Sequence, residues 1–403
     1  MIGHFRKQLL SSGKFPDKFR LFSFTFFFCA WLPALCLLPG TAAGAMDLAD
    51  EPMLAKTKPA PANIMIVLDD SGSMTFEILT AGYYDGRFPN PDEGTTDGYC
   101  YIYDYLGDNA YTDAIRYMGS EGRKYWKSQY YGANVMYYNP GSSYAPWPDY
   151  PGQTFSNAHM DTPAPDPIKT TGISTLDLDA ASFTLVKEGG SNLVVKHAHY
   201  FAVDNDGNVW LVVIDGTAVD IKYYRVTELE GSGMAEKAEK VQEETPPSEI
   251  ITGRTYQEER QNFANWFTYH RRRAYVAKYA IARVIDKLQG VRVGILGING
   301  TILVPLKPLG VWKDNIYYDQ RDELLAELYA YDSDGGTPLR EGLNDVGQYY
   351  RDNSVWLEHY EGDREKGDAP PYYSEADGGA CQQSFTIVMT DGYYSRDVSD
   401  LGA

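Results

Sequence analysis

Positive charge is what this chain has least of for its size. Its 36 Lys and Arg face 55 Asp and Glu, a formal net charge of −19. Nucleic acid demands the opposite sign, so it is excluded as a partner; the balance suits an extracytoplasmic protein or one that handles cations. Cysteine is scarce, four in 403 residues. Cys29 and Cys36 lie in an N-terminal apolar stretch, and neither follows the small residue that a lipoprotein signal requires. Cys100 and Cys381 remain, an even pair that one disulfide would join in an oxidising compartment. An apolar run that could cross a membrane is nearly lacking: 21–38 reaches only the lower limit, and Pro33 interrupts it. Helical periodicity is scarce from 75 to 257, and a second Asp-Ser/Thr-Gly copy is missing altogether.

What is present begins with an export signal. Arg6, Lys7, Lys14, Lys18 and Arg20 precede the apolar stretch, and Ala43-Gly44-Ala45 supplies the small residues of a cleavage site. Residues 1–45 therefore read as a signal peptide and 46–62 as a linker. Tyrosine is abundant, 33 residues against 16 Phe and 7 Trp. Its apolar body and polar tip suit either half-wet binding surfaces or partly buried sheet positions.

Residues 63–68 (NIMIVL) form a short continuous apolar run, as in a strand covered on both faces. The run ends in Asp69-Asp70-Ser71-Gly72-Ser73-Met74, at the strand end where open α/β sheets place their ligands. Residues 75–257 read as a β-rich, Tyr-rich insertion. Within it, 197–203 and 209–214 flank a hairpin turn at Asp204 to Asn208, and 235–247 reads as a charged, mobile connection ending in Pro246-Pro247. From Glu258, the apolar residues Phe263, Trp266, Phe267, Ala274, Ala277, Ile281, Val284, Ile285 and Leu288 follow helical spacing up to Gly290, which predicts one long helix. A strand at 291–298 and helices at 322–329 and 338–350 follow, then a buried-type strand at 384–389 (SFTIVM) leading into Thr390-Asp391-Gly392. The frame stops about a dozen residues later, which reads as a truncated frame or a fragment.

Three loops thus carry oxygen donors: Asp69, Ser71 and Ser73; Thr337 in Gly-Gly-Thr-Pro; and Asp391 in Thr-Asp-Gly. Together they resemble the metal-ion-dependent adhesion site of von Willebrand A-type domains. The chemistry agrees. Mg²⁺ is small and hard, prefers six oxygens and keeps some of its waters; Mn²⁺ and Ca²⁺ are alternatives. Neutral hydroxyls leave such an ion electrophilic, ready for a partner's carboxylate. The expected fold is α/β, a von Willebrand A-type, Rossmann-like domain built from 63–74 and 258–403, incomplete at its C-terminus.

Enzymatic readings fare worse. Asp70-Ser71-Gly72-Ser73 fits half of an aspartic-protease pair, but that chemistry needs two carboxylates sharing a proton. A dehalogenase-type phosphatase needs Asp-x-Asp where Ser71 stands. No activated base accompanies the ligands, so the expectation is a binding protein, not an enzyme. His197 and His199 alternate on a strand without a third ligand and read as ordinary half-buried histidines. The turn at Asp204 to Asn208 lacks the closing acid of a calcium loop.

The metal loop NIMIVLDDSGSM, the segments Tyr138-Asn139-Pro140 and Tyr144-Ala145-Pro146-Trp147, and 262–273 (NFANWFTYHRRR) together resemble the N-terminal half of the type IV pilus assembly and tip-adhesin family, the PilC/PilY group. That resemblance implies export through the periplasm and outer membrane to the cell surface and the pilus tip. It also implies pilins or minor pilins and a host or surface ligand as partners, and roles in pilus assembly and adhesion. An assembly or priming factor with a purely structural metal is one alternative. A von Willebrand A-type surface binding protein outside the pilus system is another. The family's C-terminal propeller is not part of this chain.

Overall fold

The computed structural model describes residues 60–81, 86–91, 98–104, 106–107, 111, 113–169, 171–351, 371–392 and 394. The expected signal peptide lies outside the described residues, as does all of the expected linker except its last three positions. Among the described residues no helix is long and apolar enough to cross a membrane.

The fold is mixed α/β and rests on two sheets. In chain order the elements are β1 (Ala62–Leu68), β2 (Ala181–Lys187), β3 (Asn192–Lys196), β4 (His199–Val203), β5 (Val209–Asp215), β6 (Asp220–Glu230) and β7 (Lys237–Glu243). Next come α1 (Tyr256–Tyr269), α2 (Arg273–Lys287), β8 (Val291–Gly297), β9 (Leu303–Leu309), β10 (Val311–Lys313) and β11 (Ile316–Tyr318). The series closes with α3 (Arg321–Ala330), α4 (Leu339–Arg351) and β12 (Ser384–Met389).

The first sheet runs β12-β1-β8-β9. β1 is parallel to both β12 and β8, and β9 returns antiparallel along β8. Alternation along β1 sends Ile66 and Leu68 to a core shared with Ile281, Ile285, Leu324 and Leu328 of α2 and α3. Met65 and Val67 point the other way, toward Val346 and Tyr349 of α4. Helices therefore cover both faces of β1, which is why its sequence is continuously apolar. β12 departs from expectation. Its apolar sequence predicted burial, yet Phe385 and Ile387 are 50 % and 52 % exposed, because β12 is the sheet's edge.

The second sheet runs β3-β2-β7-β6-β5-β4, antiparallel except for β2 against β7. β4 and β5 make the expected hairpin, its turn tied by Asp204, whose Oδ1 accepts from the backbone N–H of Asp206 (3.0 Å) and Asn208 (2.8 Å). The stretch expected to be a mobile connection contains β7, a paired inner strand. In Lys-Ala-Glu-Lys-Val-Gln-Glu, Ala238 and Val241 are fully buried. Two small apolar side chains three residues apart satisfy the core face around the slipped pairing with β6, and the charged residues between them disguise the strand.

The long helix expected from 258 to 290 is two helices. Thr255 caps α1 with a reciprocal Glu258 box, so the helix starts at Tyr256, two residues earlier than expected. Phe263, Trp266 and Phe267 of α1 pack beside Tyr200, Trp210 and Val212 of the second sheet, whereas Ile281 and Ile285 of α2 pack beneath the first. One straight rod cannot serve two sheets. The break falls at His270 to Arg272, between the helices, where the side chains of Arg271 and Arg272 are buried.

The aromatic segments 138–147 and 262–273 turn out to be each other's partners. Asn262 Oδ1 accepts from Tyr144 N (2.7 Å), and its Nδ2 donates to Tyr138 Oη (2.7 Å) and Ser142 O (2.9 Å). Asn265 Nδ2 donates to Tyr144 O (3.0 Å), Trp147 Nε1 to Tyr269 O (3.0 Å) and Trp266 Nε1 to Met136 O (3.1 Å). The amides and indoles satisfy a loop that carries no ladder bonds of its own.

Candidate metal centre

The register of the first sheet assembles the site. Leu68 of β1 pairs with Met389 of parallel β12, so Asp69 and Thr390 leave the sheet side by side at its carboxyl end. Asp69 N donates to Met389 O (2.9 Å), and Thr390 Oγ1 donates to Asp69 Oδ2 (2.7 Å). Asp69 Oδ1 accepts from Ser71 N (3.0 Å), which curls the loop. Ser71 and Ser73 then bring their Oγ atoms within 3.0 Å, and Ser73 Oγ donates to Asp391 Oδ2 (2.7 Å). Four of the five expected ligands, separated by up to 322 positions, thus form one continuous hydrogen-bonded group.

The loop that leads to Thr337 is fastened to the same place. Asp334 N donates to Asp70 O (2.8 Å), Gly72 N to Gly335 O (3.1 Å) and Asn299 Nδ2 to Gly336 O (2.7 Å). Gly335 sits at φ +85°, left-handed backbone that a side chain would strain. Thr337 follows directly and is half-buried.

Two features suit a cation. Asp391 Oδ1 is buried without a hydrogen-bond partner, an orphaned acceptor. Asp69 is fully buried, and burial raises its carboxyl above the usual range; bonds from Ser71 and Thr390 offset part of this, and the Asp391 charge adds to it. A divalent ion would relieve both costs. Among the described residues no three His, Cys, Asp or Glu side chains gather in metal-binding arrangement, so an ion would be held by two carboxylates together with hydroxyls. That mixed oxygen set fits a hard ion.

Sequence reasoning missed two members of the neighbourhood. Asp70 is as buried as Asp69 but points away from it. Its Oδ1 accepts from Asn299 N (2.8 Å) and Nδ2 (3.1 Å), its Oδ2 from Thr301 N (3.0 Å) and Oγ1 (2.6 Å), so it ties β1 to the β8–β9 turn. Gly297 is required there, because a Cβ would stand 2.2 Å from Asp70 Oδ2. Arg273, the first residue of α2, forms a buried ion pair with Asp391. The signal was available: three consecutive arginines inside an apolar helical pattern must find carboxylates if they are buried. Arg271 takes Glu77, Nε to Oε1 at 2.9 Å.

A cavity of about 370 Å³ opens beside the loop that follows β1, lined by Thr75, Arg272, Lys278, Tyr331, Ser333 and Asp334 among others. His197 and His199 are taken up by neighbouring side chains and backbone. His199 is buried against Gln129 and the Lys196 carbonyl, His197 faces Arg123, and burial pushes His197 down to about 3. Cys100 and Cys381, the candidate disulfide, are not bonded to each other. Cys100 is packed with Phe76, Tyr101 and Tyr117 near the carboxyl end of β1, while Cys381 is exposed before β12, at the far end of a six-residue strand. A strand of that length spans about 20 Å, far beyond disulfide reach.

In an alignment 384 positions long that covers 90 % of the chain, it is 23 % identical to the type IV pilus biogenesis factor PilY1 of Pseudomonas aeruginosa strain PAK. It spans about a quarter of that relative, 26 % of its length. No protein-family model matches the chain, and no solved structure does.

Proposed function

We propose that this chain is an exported protein of the type IV pilus system. Its first sheet, with α2, α3 and α4, is a von Willebrand A-type domain interrupted by a β-rich segment over 75–257. The domain holds Mg²⁺, or Mn²⁺ or Ca²⁺, through Asp69, Ser71, Ser73, Thr337 and Asp391 and binds partners, with no catalysis of its own. The observation that carries this reading is the hydrogen-bonded convergence of Asp69, Ser71, Ser73 and Asp391 at the carboxyl end of two parallel strands. The bound ion supplies an electrophilic coordination position for a partner's carboxylate. The protein's own part is to align the hydroxyls, keep the carboxylates dry and pin the Thr337 loop. The similarity to a type IV pilus biogenesis factor supports a place in the pilus system; pilins or minor pilins and a surface ligand are the partners proposed here, and the cell surface and pilus tip the proposed location.

Calorimetry of the purified chain with magnesium or manganese tests the ion, and Asp69→Ala tests the site. The expected result is saturable uptake by the wild type and none by the variant. No uptake by either protein would refute the metal reading. A second reading, a biogenesis factor whose ion is structural, is favoured by the similarity to a protein named for pilus biogenesis. Cells carrying Asp69→Ala separate the two: normal piliation without attachment supports adhesion through the ion, and loss of pili supports the structural role.

A further inference from the structure

A cation supplied by the protein itself already engages one of the two carboxylates. Asp391 Oδ2 accepts from Ser73 Oγ (2.7 Å) and pairs with Arg273 Nη1; both charged side chains are only 3 % exposed, and Asp391 Oδ1 faces no partner. Arg273 is held there from a different direction. Its backbone N–H donates to Phe76 O (3.2 Å), and its Nε and Nη2 donate to Ile78 O (3.1 and 2.6 Å). Its guanidinium lies over the Phe76 ring, 5.0 Å from the centroid. Gly86 leaves room for it, since a Cβ there would stand 3.1 Å from Nη2. The guanidinium is therefore a fixed charge, not a side chain that swings aside at little cost.

We infer that Arg273 is a built-in counter-cation of the metal centre: it holds Asp391 in place before an ion arrives and, by repelling that ion and sharing its carboxylate, keeps the site's affinity low. This inference rests on the metal reading of the Asp69 to Asp391 group. The physical reason is the low dielectric of a buried site, where like charges a few ångströms apart interact strongly. An arginine touching a ligand's oxygen subtracts from the negative charge that the ion feels. The ion is then exchangeable in the free protein, and a partner's carboxylate adds the charge that Arg273 takes away. Metal occupancy and partner binding become mutually dependent.

The test compares wild type, Arg273→Gln and Arg273→Lys in the full purified chain, by calorimetric titration with magnesium and with manganese and by thermal melts with and without each ion. Gln keeps a donor and loses the charge; Lys keeps the charge. The Gln variant is expected to bind either ion at least about tenfold more tightly, and Lys to stay within about threefold of wild type. Without ion the Gln variant melts below wild type, because Asp391 loses its partner, and it gains more from added ion. If it folds only in the presence of ion, that is the expected result in its strongest form; failure to refold when either ion is added overturns the inference. Equal or weaker ion binding by the Gln variant also overturns it, as does a Lys variant that binds as tightly as Gln. A wild type that takes up no ion at all removes the metal reading itself, a separate and recognisable failure.

Discussion

The carboxylates of Asp69 and Asp70 leave adjacent Cα atoms in opposite directions: Asp69 toward Ser71 and Thr390, Asp70 into four donors from Asn299 and Thr301. Strand alternation forces this divergence at the end of β1, so one acid is available to an ion while its neighbour is fully used as a structural anchor. Asp69→Ala and Asp70→Ala should consequently fail in different ways.

Asp70→Ala should take the buried acceptor away from the backbone N–H groups of Asn299 and Thr301. Losing a buried, charged acceptor with four donors should cost about 3 kcal/mol or more. Urea unfolding of the two variants checks it: the midpoint for Asp70→Ala should fall well below that of Asp69→Ala in metal-free buffer. Equal midpoints would remove the anchoring role.

His270 gives the protein an acid limit. It is buried between Tyr144 and Tyr279 with Nε2 facing the Ala145 carbonyl, and burial pushes its imidazole down to about 4. The unfolded chain then binds the proton more readily than the folded one. Stability should be complete above about pH 6.5 and decline as pH falls toward 4, by an amount on the order of 3 kcal/mol. His270→Gln, which cannot titrate, should make that part of the stability profile shallower by the share of one group, leaving the slope that buried His197 and His199 contribute. An unchanged slope would assign the acid sensitivity to other groups.

Asn262→Ala should loosen the whole 138–147 loop, because one amide bonds Tyr138, Ser142 and Tyr144. We expect a loss of about 2–3 kcal/mol and faster amide exchange at Tyr144. Exchange at Leu296, in the other sheet, should keep its rank among the slowest positions. Uniform acceleration across both sheets would mean that the loop is not the part affected.

The cysteines should behave independently. Alkylation of the native protein should label exposed Cys381 and spare buried Cys100 until unfolding. Reduction should leave mobility on a denaturing gel unchanged. A shift on reduction would show that the two are bridged after all.

Much of this molecule can be read from local pattern. Runs such as 63–68 and 384–389 announce strands, and Asp69-x-Ser71-x-Ser73, Thr337 and Asp391 announce donors at loop positions, because backbone geometry repeats every few residues and leaves its period in the side chains. The helix break at His270 to Arg272, the hidden strand β7, the exposure of β12, the anchoring role of Asp70 and the pairing of Arg273 with Asp391 carry no such period. Each depends on what stands across a sheet or at the far end of the chain: a second sheet that α1 must also cover, a turn 229 residues from Asp70, an aspartate 118 residues beyond Arg273. Sequence alone singled out the oxygen-bearing residues of the three loops. Only tertiary packing decided that Asp70 is used as an anchor and that Arg273 pairs with Asp391, because burial and charge balance are properties of neighbours in space.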